Sequence, residues 1–479
     1  MNLKSIIKSI EYKGESDNRE ILNIVHDSRK VKKGTLFIAI AGEKNDGHDY
    51  IFEAIDKGAI AVIANGRSPL TNRVPILQVK NPRKVMSRIS ANFYNNPSKD
   101  VNIIGVTGTN GKTTTTQLIN HILSDNNKDS SSLGTLGFST PAGIVSTGFT
   151  TPESIDLQQI IRTMANGGIK YIPMEISSHA IKLHRVEDID INIAIFTNLS
   201  IDHLDFHGSL NDYFKTKLKL FKKLDNNSTA LLNHDDDYLD DIISEISCKY
   251  ETYGFNKNSN LRVVYYHLNI DYTQIKFKYK NNEFDLKTHL IGKFNIYNIL
   301  SSILGSIHLG IDIKDIIKSI EKFKSVAGRL EQFKLINNNH GIIDFAHTPD
   351  AFENILSTIK QVSEKGIITI FGCGGNRDRT KRPLMASIAE KYSTHVYITN
   401  DNPRNENEDS IIDEVTSGFK QGNYTIIKDR SAAIEKALEN MQNKVLIILG
   451  KGRDDYQIMG DKKNYHSDFE IIKKYLDEN

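Results

Sequence analysis

The stretch IIGVTGTNGKTTTTQL, residues 103–118, decides how the chain is read. IIGV is a short apolar run of the kind that forms a strand buried on both faces. KTTTTQLINHIL has helical character, and a Gly-rich turn joins the two. The backbone N–H groups of Gly108, Asn110 and Gly111 can converge there on phosphate oxygens at a helix N-terminus. Lys112 can reach the β- and γ-phosphates of a nucleotide, and Thr113 can offer its hydroxyl to Mg2+. The match to G-x-x-x-x-G-K-[ST] is not strict: Val106 holds the place of the first glycine, with Gly105 one position earlier. The plainer alternative is an ordinary βα turn; Lys-Thr at the helix start argues against it.

The same rhythm continues outward. YIPMEI (171–176), INIAIF (191–196), GIITIF (366–371), THVYIT (394–399) and KVLIIL (444–449) read as buried parallel strands. RPLMASIAEKY and SAAIEKALENM read as amphipathic helices, giving an α/β pattern over more than one domain. NNPSKD (95–100) has the composition of a linker, and the segment within 261–290 alternates like an antiparallel ribbon with a KNNE turn. A further boundary falls near SVAGR (325–329). The expected domains are 1–100, 101–327 and 328–479.

The chain has 479 residues, enough for about three domains of ~150. Lys+Arg 61 against Asp+Glu 59 leaves a formal charge of +2, so no global basic excess marks a nucleic-acid or membrane-surface partner. Cys248 and Cys373 lie far apart, which argues against a disulfide framework or a cysteine zinc site and for reduced thiols. The N-terminus has lysines inside its apolar stretch, unlike a signal peptide, and no run reaches the length of a membrane span. The expectation is a cytoplasmic protein with small-molecule partners.

Two strand ends carry chemistry. PMEISSHAIKLHR places Glu175 at one, and FTNLSIDHLDFHGS places Asn198, Asp202 and His203 after another. Ligands of open parallel sheets gather at such ends. A carboxylate and an imidazole there could hold Mg2+ between phosphates and a second substrate, with Glu175 the better oxygen ligand. Each histidine taken alone reads as a polar loop residue.

Together, GTNGKTTT (108–115), TTPE (150–153), EISSHA (175–180), FTNLSIDHLDFHG (196–208), FNIYN (294–298), AGRLE (327–331), DFAHTPDA (344–351) and FGCGGNRDRTKRP (371–383) resemble the Mur ligases of peptidoglycan synthesis, over nearly the whole chain. The resemblance implies three α/β domains: an N-terminal UDP-binding domain, a central P-loop-type mononucleotide-binding parallel sheet, and a C-terminal Rossmann-like domain for the amino acid. It implies an ATP-dependent monomeric ligase that adds the third amino acid to UDP-N-acetylmuramoyl-L-alanyl-D-glutamate through an acyl phosphate. ATP would contact Gly108, Thr109, Asn110, Gly111, Lys112, Thr113, Thr114, Asn295, Arg329, Asp344 and His347, lying between the second and third domains, which are expected to close on binding. Thr113, Glu175 and His203 match Mg2+ sites. DYFKTKLKLF (212–221) aligns Lys217 with an N-carboxylated lysine, a carbamate derived from CO2 that turns a cation into an anionic ligand.

By the same resemblance, His26, Ser28, Arg29, Glu43, Lys44 and Asn45 face the uridine diphosphate, and Thr150, Thr151, Ser177 and Arg185 face the muramoyl-dipeptide. Leu183 and Phe149 stand where polar residues are frequent. DNPR (Asp401, Asn402, Pro403, Arg404) resembles the motif of members that add meso-diaminopimelate; Arg404 can grip its distal carboxylate bidentately and Asn402 can add a hydrogen bond. Arg377, Gly450 and Asp454 complete that set. The frequent GKGHE reads GKGRDD (450–455) here: Asp454 is one methylene shorter, and Arg453 could repel an ammonium or pair with a carboxylate. Lysine or lanthionine therefore stays open as the amino acid. A folate- or cyanophycin-type ligase, and a non-ligating nucleotide switch, are the wider alternatives.

Overall fold

The computed structural model describes residues 1–479 apart from 43, 44, 70, 141 and 142. The strand predicted from IIGV runs Asn102–Thr107 and feeds the helix Lys112–Asp125. Successive residues of this strand serve opposite cores. Ile103 packs with Leu157, Ile161 and Phe221 on one face. Ile104 and Val106 pack with Leu118, Ile122, Ile299 and Ile303 on the other. Both faces are covered, which is why the sequence shows a continuous apolar run rather than alternation.

Around this strand the central sheet has eleven strands among the described residues. Its neighbours Tyr171–Glu175 and Ile193–Phe196 are parallel to it, with Val106 opposite Glu175 and Thr107 opposite Phe196. Their C-terminal ends therefore lie level, and the loops that follow share one edge. The antiparallel ribbon expected in 261–290 forms as Leu261–Leu268, Thr273–Tyr279 and Asn282–Thr288. It continues the parallel sheet through Tyr253 opposite Leu261.

A four-stranded parallel sheet precedes it (Asn23–Val25, Thr35–Ile38, Ala59–Ala64, Ile76–Gln78). A six-stranded sheet follows, ordered Glu331–Leu335, Asn339–Asp344, Lys444–Leu449, Gly366–Phe371, His395–Ile398, Tyr424–Ile426, with its first pair antiparallel. NNPSKD turns through left-handed Asn95 and Asn96. It is fastened by Arg162, which donates to the carbonyls of Tyr94 and Asn95 and pairs with Asp100. Both cysteines are buried and free. Among the described residues no helix is long and apolar enough to cross a membrane.

Candidate active site

The phosphate loop is shaped by its neighbour strand. Asn198, just past Ile193–Phe196, accepts from Thr109 N through its carbonyl (2.8 Å) and from Asn110 N through Oδ1 (2.9 Å). Thr197 Oγ1 donates to the Asn110 carbonyl at 2.6 Å. Gly108 (φ +152°) and Gly111 (φ +86°) are obligatory: a Cβ would stand 1.9 Å from Thr197 Oγ1 and 2.3 Å from Asn298 Oδ1. Lys112 folds over the loop, donating to the carbonyls of Gly108 (3.0 Å) and Thr109 (2.8 Å). Burial holds its amine below the usual lysine range, opposed by Glu175 and Asp202.

Beneath the loop, Glu175 is 1 % exposed. It accepts from Thr113 Oγ1 (3.0 Å), Thr135 N (2.8 Å) and Thr135 Oγ1 (3.2 Å). Thr135 Oγ1 in turn meets Thr150 Oγ1 at 3.2 Å, and Arg329 Nη2 reaches Thr113 Oγ1 at 3.4 Å. One polar chain thus runs from the C-terminal sheet's entry through the phosphate loop to TTPE. The hydroxyl and carboxylate oxygens of Thr113 and Glu175 suit a hard cation such as Mg2+. His203 lies on the loop after Ile193–Phe196: burial holds its imidazole low, and its ring stands 3.3 Å from Asp202 Oδ2 and 6.3 Å from the centroid of Tyr213.

Lys217 is buried on the helix Leu210–Lys222. Its Nζ donates to the Gly108 carbonyl at 2.8 Å and lies 4.6 Å from the centroid of the Tyr213 ring. Burial and the charge of Lys112 push the amine well below the lysine range. It is thus under the phosphate loop, whereas neighbouring Lys215, Lys219 and Lys222 are exposed.

Asn295 donates to the Ile291 carbonyl and accepts from Asn298 Nδ2, so it acts on the loop through Asn298, which the sequence reading missed. The two carboxylate oxygens of Asp344 accept from Leu330 N and Ala346 N, both at 2.7 Å. They hold Leu330 at φ +42°, next to Arg329. Arg329 also lies over the Phe345 ring, 4.7 Å from its centroid. Burial holds the His347 imidazole below its usual range, and its Nδ1 donates to the Phe345 carbonyl. Asp350, also missed, accepts from Asn110 Nδ2 (3.1 Å) and Ser200 Oγ (3.3 Å), joining the C-terminal domain to both loops.

On the opposite side, Thr151 Oγ1 donates to the Glu175 carbonyl and accepts from Ser177 N. Ser177 caps the helix Ser178–Lys182. Arg185 donates to the Thr151 carbonyl and pairs with Glu153, which also pairs with Arg83 of the N-terminal domain. Phe149, the departure noted above, covers the Arg185 guanidinium at 5.2 Å. Burial holds the His26 imidazole below its usual range, opposed by Glu153 and Asp156. Ser28 is buried, while Arg29 is exposed and folds back onto Asp27. Asn45 closes its loop by accepting from Gly42 N; Glu43 and Lys44 lie outside the described residues. A cavity of about 280 Å³ beside Ala41 is lined by Asn65, Lys80, Asn81 and Arg83.

In the C-terminal domain the GGNRD and DNPR loops interlock. Gly375 N donates to the Asn402 carbonyl, and Arg404 Nη1 donates to the Gly375 carbonyl at 2.8 Å. A side chain at Gly375 would meet the Pro403 carbonyl at 1.9 Å. Arg404 is held at φ +54° by two backbone bonds to the hairpin that follows GKGRDD: its N–H to Ile458 O and its carbonyl from Gly460 N. Arg377 is near enough to disfavour the Arg404 charge. Gly450, at φ +112°, has its N–H on the Asp344 carbonyl. Burial raises the Asp454 carboxyl, opposed by Lys451. Arg453 does not stand free for a substrate: it pairs with Glu331 of AGRLE through Nε and Nη2 and covers the Phe469 ring.

The chain matches the families described as "Mur ligase family, catalytic domain" over residues 20–94, "Mur ligase middle domain" over 106–305 and "Mur ligase, glutamate ligase domain" over 328–452. It is 39% identical over 488 aligned positions to a Clostridium botulinum protein named UDP-N-acetylmuramoyl-L-alanyl-D-glutamate--2,6-diaminopimelate ligase, spanning 100% of both. A solved structure of a ligase of that name superposes with a TM-score of 0.72 at 28% identity, covering 100% of this chain and 99% of the other. Mycobacterium tuberculosis folylpolyglutamate synthase shares the fold (TM-score 0.64, 14% identity) over 77% of this chain and 92% of its own.

Proposed function

We propose that this chain, which belongs to the Mur ligase family, is the ATP-dependent ligase that adds meso-diaminopimelate to UDP-N-acetylmuramoyl-L-alanyl-D-glutamate in peptidoglycan precursor synthesis. The observation that carries the reading is the polar chain from Arg329 through Thr113, Glu175 and Thr135 to Thr150. It joins the nucleotide loop to the two outer sites, as a reaction between a phosphorylated acid and an incoming amine requires. Residues 1–100, 101–327 and 328–479 would hold the UDP-sugar, ATP and the amino acid respectively.

The substrate carboxylate attacks the γ-phosphorus, ADP leaves, and an acyl phosphate forms. The amine then attacks the acyl carbon, and the tetrahedral intermediate expels phosphate. Such phosphoryl transfer needs positioning and charge neutralisation rather than a protein nucleophile. The loop amides and Lys112 supply both. Thr113 and Glu175, with His203, would hold Mg2+, whose contribution when bound is charge neutralisation at the phosphates. Lys217 would serve as a carbamate: burial lowers the proton affinity of its amine, which leaves a neutral nucleophile to combine with CO2, and the Lys112 cation favours an anionic group there. Arg185, anchored by Glu153, borders the dipeptide. The cavity at Lys80 and Arg83 offers cations beside the loop assigned to the diphosphate.

Arg404, with Arg377, would grip the distal carboxylate of diaminopimelate, and Asp454 its ammonium. Arg404→Ala is therefore expected to raise KM for meso-diaminopimelate about 10- to 100-fold while KM for ATP stays put. Competition between meso-diaminopimelate, L-lysine and lanthionine tests this. Unchanged meso-diaminopimelate kinetics in the variant would remove Arg404 from the site.

A further inference from the structure

Lys451 is 1 % exposed, one of the largest wholly buried side chains of the protein. It follows the strand Lys444–Leu449, whose end is fixed from behind: Arg430 Nη2 donates to the Leu449 carbonyl and pairs with buried Asp468. From there the Lys451 side chain reaches into DNPR. Its Nζ donates to Asn402 Oδ1 at 3.3 Å and stands 3.5 Å from Asp401 Oδ1, with the Tyr456 ring below. Asp401 Oδ1 receives no hydrogen bond among the described residues, so the lysine pairs in charge with Asp401 but bonds to the amide of Asn402.

Asn402 Oδ1 also accepts from Ile458 N at 2.9 Å. With two donors on its oxygen, the planar amide has one orientation, and its NH2 group faces away from them. The same loop carries the Arg404 guanidinium. Asn402 and Arg404 then offer donors, which match a carboxylate and mismatch an ammonium. A reversed amide would present an acceptor at that place.

We propose that Lys451 is a positioning residue that sets acid selectivity for the distal end of the incoming amino acid, by locking the Asn402 amide with its NH2 outward. This rests on the reading of the DNPR loop as the site of that amino acid. Lys451 touches no substrate in this role. It acts through Asn402, while its charge lies near both Asp401 and Asp454.

Lys451→Met and Lys451→Gln separate the role from packing. Both remove the charge and keep the bulk, but only glutamine keeps a donor for Asn402 Oδ1. KM and kcat would be measured for meso-diaminopimelate and L-lysine, alongside ATP and UDP-dipeptide affinities and Tm. Lys451→Met is expected to raise KM for meso-diaminopimelate about tenfold and to narrow its advantage over L-lysine, with nucleotide affinity held. Lys451→Gln is expected to keep most of the selectivity. Met and Gln variants with equal selectivity, or equal losses for all three substrates together with a fall in Tm, would overturn the role. If Lys451→Met does not accumulate as folded protein, Lys451→Leu against Lys451→Gln carries the same comparison. A wild-type enzyme that ligates L-lysine as well as meso-diaminopimelate would overturn the underlying acid-selective reading itself, and is seen before any variant is made.

Discussion

Lys112→Ala is expected to lower kcat/KM by about 10³-fold or more, with the fold intact. The lysine sits at the first turn of Lys112–Asp125 and already spans the loop by donating to Gly108 and Thr109 carbonyls. On the proposed reading those bonds would be exchanged for phosphate oxygens when nucleotide enters. Loss of the amine would then leave the developing charge at the transferred phosphoryl group less well opposed in a partly desolvated site, where such charge is costly. The loop itself keeps its shape, because Asn198 and Thr197 hold it through backbone groups. Far-ultraviolet circular dichroism and Tm should therefore match the wild type, and single-turnover formation of acyl phosphate should carry the whole defect. A variant within tenfold of wild type would show that the loop amides alone bind the phosphates.

Lys217→Ala is expected to lose activity by about 10³-fold and to recover part of it in millimolar formate or acetate. An alanine at a site that needed only a buried amine would gain nothing from a small carboxylate. One that needed an anionic oxygen would gain from it. Intact-mass measurement of the wild-type protein in bicarbonate supplies a second readout, since carboxylation adds CO2 to one lysine. Full activity in Lys217→Ala would contradict the assignment, and loss without carboxylate rescue would reduce Lys217 to a prop for Gly108.

The fold was legible where burial leaves a one-dimensional mark. Doubly covered strands such as Asn102–Thr107 must be apolar throughout, and the Gly-Lys-Thr turn must sit at a helix start. What escaped lies in contacts between distant segments. Thr135 carries no motif of its own, yet it makes two of the three hydrogen bonds to the Glu175 carboxylate among the described residues. Asn298 could have been noticed as the second asparagine of FNIYN; its packing against Gly111 could not. Asp344 carried a motif signal, but its partners Leu330 N and Ala346 N are backbone groups, which leave no trace in side-chain pattern. Arg453 was read as a group facing substrate because its partner Glu331 lies 122 residues away.

The most direct test is phosphate release by the wild-type enzyme with ATP and Mg2+, with each other substrate present or withheld, and the product weighed by mass spectrometry. Stoichiometric phosphate release that needs both UDP-N-acetylmuramoyl-L-alanyl-D-glutamate and meso-diaminopimelate, with a product one diaminopimelyl residue heavier, is the predicted result. Sustained phosphate release independent of both, or no tripeptide product, would contradict the account.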